Sequence, residues 1–337
     1  MIRTEVRGNA GLIILDRPKA LNALSHEMAL DIERALEDWR DDDAVQLVVV
    51  RGEGDRGLCA GGDVAALRED ALNDGHAGAD FWADEYRLNL LISQYPKPYV
   101  AIMNGIVLGG GVGISAHGSH RIVTDSTKLG MPETGIGFCP DVGGSWILGH
   151  APHNLGIHYG LTGIHEGGAQ AIEAGLADYL VADKDIDALV AELCETGQVG
   201  VIEKFAAEAP VGFGPRRVDM ERIYGADTVE EILELLDVHD EEWAADAAKR
   251  IRRNSPHALK VTLESIRRAR SLTLADALRE EYRISCHMQK NPDFAEGVRA
   301  QIIDKDRQPK WQPATLGDVT AESVAAAFEP LEKELEF

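Results

Sequence analysis

Short, largely apolar runs recur through the first half of the chain, with helical patterns between them. Four of these runs are Leu12–Leu15, Leu47–Val50, Tyr99–Met103 and Arg121–Thr124. Strands that are apolar along most of their length suit a sheet that is covered on both faces. Because helical segments separate the strands, right-handed crossovers should make them parallel. The sequence therefore predicts an α/β layer in this half of the chain.

Helical patterns frame this layer and dominate the rest of the chain. Ser25 is a predicted N-cap, and Met28, Ile32 and Trp39 then recur at helical spacing. From about residue 150 almost every segment reads as a helix. The predicted stretches are 167–175, 184–195, 228–238, 240–253, 256–270 and 273–290, an extended tail over 305–317, and a last helix near 320–335. We therefore expect a core domain over residues 1–200 and a helical C-terminal region over 201–337.

Charge and cysteine usage limit the partners and the compartment. The 337 residues carry a formal net charge of −23, which repels nucleic acid and anionic membranes. The longest apolar runs are too short to span a bilayer, and no apolar signal-peptide core follows Met1. The cysteines Cys59, Cys139, Cys194 and Cys286 form no CxxC pair, which favours a reducing compartment. We expect a cytoplasmic protein with a small-molecule ligand, and neither a nucleic-acid nor a membrane partner.

Two glycine-rich turns follow predicted strands. In the segment CAGGD, Cys59–Asp63, the absence of side chains would let a ligand reach the backbone amides. The alternative is a tight strand-to-helix connection with Asp63 as the cap. In the segment Gly109–Gly113, four of five residues are glycine, although each costs a helix about 1 kcal/mol. Free N–H groups at a helix N-terminus would bind an oxyanion there, and the alternative is close packing of the helix on the sheet.

The second glycine block also matches a loose dinucleotide-binding pattern, Gly111-x-Gly113-x-x-Ala116. A dinucleotide-binding turn should follow its strand directly. Here Gly105–Gly109 intervene, so the pattern gives little support to a nicotinamide dehydrogenase.

A pair of carboxylates marks the segment MPETGIGFCPDVGG. Glu133 and Asp141 lie eight residues apart among apolar residues and glycines. Burial in such surroundings raises a carboxyl pKa and makes the group useful for proton transfer. The alternative is structural: Glu133 caps one helix and Asp141 starts another, with Gly143 and Gly144 as spacers.

Other catalytic and metal-binding patterns are missing from the sequence. Histidines three residues apart occur twice, as His117 with His120 and His150 with His153, but no third ligand has suitable spacing for a metal. No GxSxG elbow and no GxxxxGK[ST] loop occurs. We therefore expect no metal, no nucleophilic serine and no nucleotide-binding P-loop.

Several segments together resemble the crotonase (enoyl-CoA hydratase/isomerase) superfamily in order and spacing. They are RPKALNAL (17–24), CAGGD (59–63), NGIVLGGGVG (104–113) and MPETGIGFCPDVGG (131–144). SPHALKVTLE (255–264) and DFAEGVRAQIIDKD (293–306) are similar to the 3-hydroxyisobutyryl-CoA hydrolase branch. The resemblance implies an α/β fold of the crotonase-like (ClpP/crotonase) type, a spiral ββα core with a helical C-terminal region.

The resemblance also implies an oxyanion hole. By position, the backbone amides of Gly62 and Gly110 should hold the thioester oxygen, with Gly61, Asp63 and Gly109 beside the substrate. As that oxygen gains charge, each fixed donor would contribute about 3–4 kcal/mol of transition-state stabilisation.

The acidic residues differ from those of hydratases in this family. Hydratases carry one glutamate after the glycine triplet and a second about twenty residues later. Here the second is Glu133, but the first position is Gly113. Asp141 and Glu85, the latter on a predicted helix over Asp80–Ile92, match acidic positions of the hydrolase branch. Because hydration of a C=C bond needs paired acid and base groups, the resemblance implies hydrolysis.

The expected activity is hydrolysis of a short 3-hydroxyacyl-CoA, with 3-hydroxyisobutyryl-CoA of valine breakdown first and 3-hydroxypropionyl-CoA second. Glu133 would activate water or attack the carbonyl itself, Asp141 would assist and Glu85 would hold the 3-hydroxyl. No cofactor is expected, since coenzyme A is part of the substrate. Arg17 and Lys19 are candidates for its phosphates. An enoyl-CoA hydratase or isomerase and a non-catalytic acyl-CoA-binding protein remain alternatives. Family members form trimers, hexamers or smaller assemblies, so homo-oligomerisation stays open.

Overall fold

The computed structural model describes residues 1–73 and 75–337. Within it, the chain forms two compact units, and each unit is assembled from three stretches of sequence. The first unit contains Met1–Gly62, Arg87–Gly130 and Glu166–Gly214, and the second contains Asp63–Tyr86, Met131–His165 and Pro215–Phe337. The predicted domains over residues 1–200 and 201–337 are each continuous in sequence, unlike these units. The domain boundary near residue 200 stays a prediction.

All strands of the described chain belong to the first unit. They are β1 (Ile2–Arg7), β2 (Ala10–Leu15), β3 (Leu47–Gly52), β4 (Tyr99–Met103), β5 (Ile106–Leu108), β6 (His120–Val123), β7 (Lys128–Gly130), β8 (Tyr179–Val181) and β9 (Ala206–Ala207). The main sheet has the order β1-β2-β3-β4-β6-β8-β9, and β5 pairs with β7 in a second sheet. Strands β2 to β8 of the main sheet are parallel, while β1 and β9 add antiparallel edges. The predicted parallel layer is therefore confirmed.

Helices make up most of the remaining chain. They are α1 (His26–Arg40), α2 (Val64–Leu72), α3 (Ala77–Ser93), α4 (Gly110–Ala116), α5 (Gly144–His150), α6 (Leu155–Thr162), α7 (Gly168–Glu173), α8 (Ile186–Thr196), α9 (Arg217–Ile223), α10 (Val229–Asp237), α11 (Glu242–Arg253), α12 (Pro256–Ala269), α13 (Leu274–Gln289), α14 (Pro292–Val298) and α15 (Ala321–Ala326). The long predicted helices are confirmed to within a few residues at each end. The Ser25 cap is confirmed as well, since its hydroxyl accepts a hydrogen bond from the Met28 amide at 3.3 Å.

Each unit has buried apolar contacts of its own. In the first unit, Leu12, Val49 and Ile102 of the sheet pack in one buried cluster with Leu189 and Leu193 of α8. This contact explains why the strands are apolar along their length. In the second unit, the Phe138 ring stacks on Trp82 of α3 and packs on Phe294 of α14, each with ring centroids 5.4 Å apart.

The last predicted helix is wrong in length. The chain is helical over Ala321–Ala326 and not over 320–335. Thr320 caps this helix, with its hydroxyl accepting from the Ser323 amide at 3.1 Å. Pro330 follows closely, and a proline both lacks an N–H and disfavours the helical conformation of the residue before it.

Two further expectations from the sequence can be compared with the structure. Within residues 1–73 and 75–337, no helix combines the length and the apolar character needed to cross a membrane. All four cysteines are buried, and none of them forms a disulfide bond within the described residues. They therefore lie in packed interior positions, as expected for cysteines that fill a core.

Candidate active site

The first unit brings the two glycine turns together. The Cys59 amide donates to the Ile106 carbonyl at 3.1 Å, and the Leu108 amide donates to the Cys59 carbonyl at 3.0 Å. Gly61 has φ +106°, and a Cβ added to it would lie only 4.0 Å from the Gly110 nitrogen. The turn that contains Gly61 therefore lies beside the N-terminus of α4.

The start of α4 supports both interpretations of its glycines, oxyanion binding and close packing. Gly109, with φ 48°, precedes the helix, and Gly110 is its first residue. The first amides of a helix have no acceptor within the helix, so the Gly110 N–H lies at the positive end of the helix dipole. A Cβ on Gly111 would lie 2.5 Å from the Cys59 carbonyl oxygen, which shows that close packing also requires glycine. Gly111 and Gly113 lie inside α4 and not in a strand-to-helix turn, which argues against the dinucleotide-binding reading.

The second unit holds the predicted acidic residues. Glu85 lies on α3, Glu133 opens a 3₁₀ turn over Glu133–Ile136, and Asp141 precedes α5. They are 2%, 7% and 7% exposed. Within the described residues, Glu85 Oε1 and Glu133 Oε2 have no hydrogen-bond partner. Buried polar atoms without partners are rare and costly, so both oxygens suggest contact with a ligand.

Burial raises the pKa of all three carboxyl groups. The pKa of Asp141 rises to about 7, although a hydrogen bond from Tyr86 counteracts the effect of burial. The pKa of Glu133 lies well above its ordinary value because of burial and the nearby charge of Asp141. Burial and the charges of Asp141 and Glu133 raise the pKa of Glu85 in the same way. A carboxyl group that titrates near neutral pH, as Asp141 does, is suited to general acid and base catalysis.

Later segments of the chain hold the Glu133 turn in place. The Asn254 side-chain amide donates to the Thr134 hydroxyl at 3.0 Å, and the Ser255 amide donates to the Thr134 carbonyl at 3.0 Å. The Ser255 hydroxyl donates to the Asp293 carboxylate at 2.6 Å. The SPHALKVTLE and DFAEGVRAQIIDKD segments thus contribute residues that support the neighbour of Glu133.

Gly137, at the end of this turn, should tolerate no side chain. Its φ is +70°, and an added Cβ would lie 2.3 Å from the Asp293 carbonyl oxygen. We expect Gly137→Ala to lower the free energy of unfolding by about 1–3 kcal/mol, because backbone strain and a backbone clash add together. Urea denaturation measures the change. The control is Gly200→Ala, since a Cβ on Gly200 meets nothing within 4 Å. Equal stability of the two variants would contradict the prediction.

Three residues of this region were not identified from the sequence. The Tyr86 hydroxyl donates to Asp141 Oδ2 at 2.7 Å and lies 2.7 Å from the Ser285 hydroxyl. Glu281 accepts hydrogen bonds from the amides of the turn after Asp141. One signal was available, because Glu281 and Ser285 lie four residues apart on one face of α13. A carboxylate on a buried helix face needs partners.

The other candidate residues have contacts and positions of their own. Asp63 occupies the N-cap position of α2 in the second unit. The Arg17 guanidinium donates to the Ala23 carbonyl at 2.8 Å, and Lys19 is exposed. His150 Nδ1 contacts the Trp146 carbonyl oxygen of its own helix. In the described part of the chain, no three His, Cys, Asp or Glu side chains are grouped to hold a metal ion.

Comparisons with known proteins show what this chain is similar to. The enoyl-CoA hydratase/isomerase family model matches residues 10–328. A mitochondrial 3-hydroxyisobutyryl-CoA hydrolase from Rattus norvegicus is 39% identical over 97% of this chain and 88% of its own length. A carnitinyl-CoA dehydratase from Mycobacterium thermoresistibile is 48% identical, with a TM-score of 0.97 over 100% of this chain and 98% of its own. An enoyl-CoA hydratase from Rhodobacter sphaeroides is 42% identical, with a TM-score of 0.93 over 100% and 99%.

The chain belongs to the enoyl-CoA hydratase/isomerase family, the crotonase superfamily, and has its fold. Both predictions, the family and the α/β crotonase-like fold class, are confirmed. The similar proteins carry names of different reactions, so the chemistry of this chain has to be argued from its own residues.

Proposed function

We propose that this protein hydrolyses a short 3-hydroxyacyl-CoA thioester, 3-hydroxyisobutyryl-CoA in particular, to the free acid and coenzyme A. One observation carries the proposal. Glu133 and Asp141 are buried carboxyl groups whose pKa values are both raised by burial, that of Glu133 also by the charge of Asp141, while Gly113 occupies the position of the first hydratase glutamate. The name of the rat relative supports the same reaction and substrate.

The reaction has two parts in this proposal. The thioester oxygen accepts hydrogen bonds from the Gly62 and Gly110 amides, which stabilise the negative charge that forms during attack. Glycine at positions 61 and 109 keeps Cβ atoms away from these donors. Glu133 either removes a proton from the attacking water or attacks the carbonyl carbon and forms a mixed anhydride that water hydrolyses. Asp141 exchanges the proton, and coenzyme A leaves as the thiol.

The acyl group is recognised through its hydroxyl in this proposal. Glu85 is buried, and its Oε1 has no hydrogen-bond partner among the described residues. Its pKa is raised by burial, so a protonated Glu85 can both donate to and accept from a substrate hydroxyl. Asp63 lies beside the substrate as a further contact.

A panel of acyl-CoA thioesters tests this proposal. Thiol release from each ester is measured with a chromogenic disulfide. We expect turnover of 3-hydroxyisobutyryl-CoA and 3-hydroxypropionyl-CoA to exceed that of isobutyryl-CoA by at least about tenfold, because a buried polar group without its partner is costly. Isobutyryl-CoA is the matched control, since it lacks only the hydroxyl. Equal turnover of the hydroxylated and unhydroxylated esters would contradict the role given to Glu85.

A hydratase or dehydratase is the second candidate, favoured by the names of the two similar structures. Crotonyl-CoA separates the two reactions. A hydratase removes the conjugated thioester absorbance without releasing thiol, whereas the proposed hydrolase leaves crotonyl-CoA nearly unchanged. Binding of acyl-CoA with neither reaction would instead identify a non-catalytic binding protein.

Three accompanying proposals concern cofactor, compartment and assembly. The scheme needs only water and side chains, so we expect full activity after treatment with a chelator. The cytoplasmic location rests on the isolated cysteines, and the word mitochondrial in the relative's name applies to that protein. Homo-oligomerisation is likewise a proposal, and the proposed chemistry uses residues of one subunit only.

A further inference from the structure

The backbone immediately after Asp141 is strained. Val142 has φ 57° and Gly143 has φ 76°, so two successive residues adopt left-handed conformations. A β-branched residue at positive φ is a true outlier, with a cost of roughly 1–3 kcal/mol. Such strain persists only where surrounding contacts hold it, and at functional sites it often fixes a side chain in place.

Glu281 of α13 makes the contacts that hold this strained turn. Its Oε2 accepts a hydrogen bond from the Gly143 amide at 2.6 Å. Its Oε1 accepts from the Ser145 amide at 2.8 Å and also from the Ser145 hydroxyl. Gly143 is the N-cap residue of α5 and has no side chain, so a carboxylate 138 residues away accepts from its amide and from the amide of Ser145 in the first turn of the helix.

Tyr86 holds the Asp141 side chain from another direction. Its hydroxyl is buried and donates to Asp141 Oδ2 at 2.7 Å. The Ser285 hydroxyl lies 2.7 Å from the Tyr86 hydroxyl oxygen and can donate a hydrogen bond to it in turn. Two elements, α3 and α13, thereby direct one hydrogen-bond chain toward a single carboxylate oxygen.

We propose that Tyr86 and Glu281 are positioning residues for Asp141. Glu281 fixes the backbone of Asp141 through the strained Val142–Gly143 turn, and Tyr86 fixes its carboxylate and favours the ionised form. The proposal rests on the proposed function, since it gives Asp141 a part in thioester hydrolysis. It adds two residues whose effect on the reaction passes through Asp141 and not through the substrate.

Several titratable groups surround Asp141 and affect how its protonation depends on pH. Glu133 lies on the 3₁₀ turn and Glu85 on α3, and the charge of Asp141 raises the pKa of both. Glu281 on α13 has a pKa raised to about 8 by burial, counteracted by its three donors. The Cys139 thiol also has a raised pKa and stays neutral. Tyr86 therefore supplies the neutral donor that stabilises the Asp141 carboxylate among acidic neighbours.

Tyr86→Phe removes this donor and retains the ring. We expect the acidic limb of the kcat/KM pH profile for 3-hydroxyisobutyryl-CoA to move upward by about one pH unit, because loss of a hydrogen bond to the charged form raises the pKa. The matched control is Tyr224→Phe, whose buried hydroxyl contacts His158 at 2.7 Å. The control should lose comparable stability and keep the wild-type profile.

Glu281→Gln tests the backbone contact. The substituted amide presents an NH2 group to one of the two backbone amides, so the turn loses an acceptor. We expect kcat per folded molecule to fall at least about tenfold while KM changes less than about threefold, at a temperature where the variant is fully folded. A merely structural role predicts lower stability with unchanged kcat. If Glu281→Gln does not fold, the kcat/KM pH profile of Tyr86→Phe decides whether the positioning proposal holds.

The outcomes separate the two proposals. A wild-type protein that releases no thiol would refute the proposed function and the positioning roles with it. If the wild type hydrolyses the ester while Tyr86→Phe keeps the wild-type pH profile and Glu281→Gln keeps kcat, the positioning roles alone are refuted.

Discussion

Glu133→Gln should reduce thioester turnover at least about a hundredfold, which is the size expected for loss of a general base or nucleophile. The amide has nearly the shape of the carboxyl group but neither accepts a proton at neutral pH nor attacks a thioester. Steady-state thiol release from 3-hydroxyisobutyryl-CoA measures the loss. Because burial disfavours the charged form of Glu133, the neutral replacement should leave the folded state at least as stable.

The matched control for this prediction is Glu230→Gln. Glu230 lies near the surface on α10 and forms an ion pair with Lys260 at 2.8 Å. The control should retain wild-type turnover within a factor of about two, since partly exposed ion pairs contribute little. Wild-type turnover in Glu133→Gln would refute the assignment of Glu133, whatever the control shows.

Hydroxylamine separates the two roles left open for Glu133. Added during turnover, it converts an anhydride at Glu133 to a hydroxamate, with release of the free acid. Mass spectrometry of the peptide that contains Glu133 detects the product. An unmodified peptide during full turnover would favour the general-base role, in which Glu133 never bonds to the acyl group.

Asp141→Asn should lose activity and gain stability at the same time. We expect at least about a hundredfold lower turnover, because the amide cannot exchange the proton. The pKa of Asp141 is about 7 in the folded protein, against an ordinary value of 3.8. The folded state therefore binds more protons than the unfolded state between these values, and the Asp141 contribution lowers stability as pH rises from about 4 to about 7.

The stability difference should accordingly depend on pH. At pH 8 we expect Asp141→Asn to be more stable than the wild type by up to about 4 kcal/mol, since each pKa unit corresponds to about 1.4 kcal/mol. Below pH 4 the difference should disappear, because both side chains are then neutral. Urea denaturation at pH 5, 6.5 and 8 measures the trend. A pH-independent difference would show that Asp141 is not desolvated as described.

The sequence predicted the features that depend on local patterns. Runs such as Tyr99–Met103 identify buried strands because a sheet covered on both faces needs apolar residues throughout. The CAGGD and Gly109–Gly113 segments were identified because clustered glycines require a reason at a helix start. The order and spacing of these segments then indicated the family, which the family match confirms.

The contacts of the supporting residues could not be predicted because these residues reach the site from distant parts of the chain. Tyr86 and Asp141 are 55 residues apart, and Tyr86 and Ser285 are 199 residues apart. The sequence around Glu281 does not indicate that its carboxylate caps α5. A glycine at position 143 also does not indicate that this helix takes its cap from a distant residue. The strain at Val142 is also invisible in sequence, since valine is the residue least expected at positive φ.

The most direct test is a crystal structure of the Glu133→Gln variant with 3-hydroxyisobutyryl-CoA bound. We predict that the thioester oxygen lies within about 3.1 Å of both the Gly62 and Gly110 nitrogens, the range of productive oxyanion donors. The side chain at position 133 should face the same carbonyl carbon. A thioester oxygen that neither amide contacts, or a side chain at position 133 directed away from that carbon, would contradict the proposed mechanism.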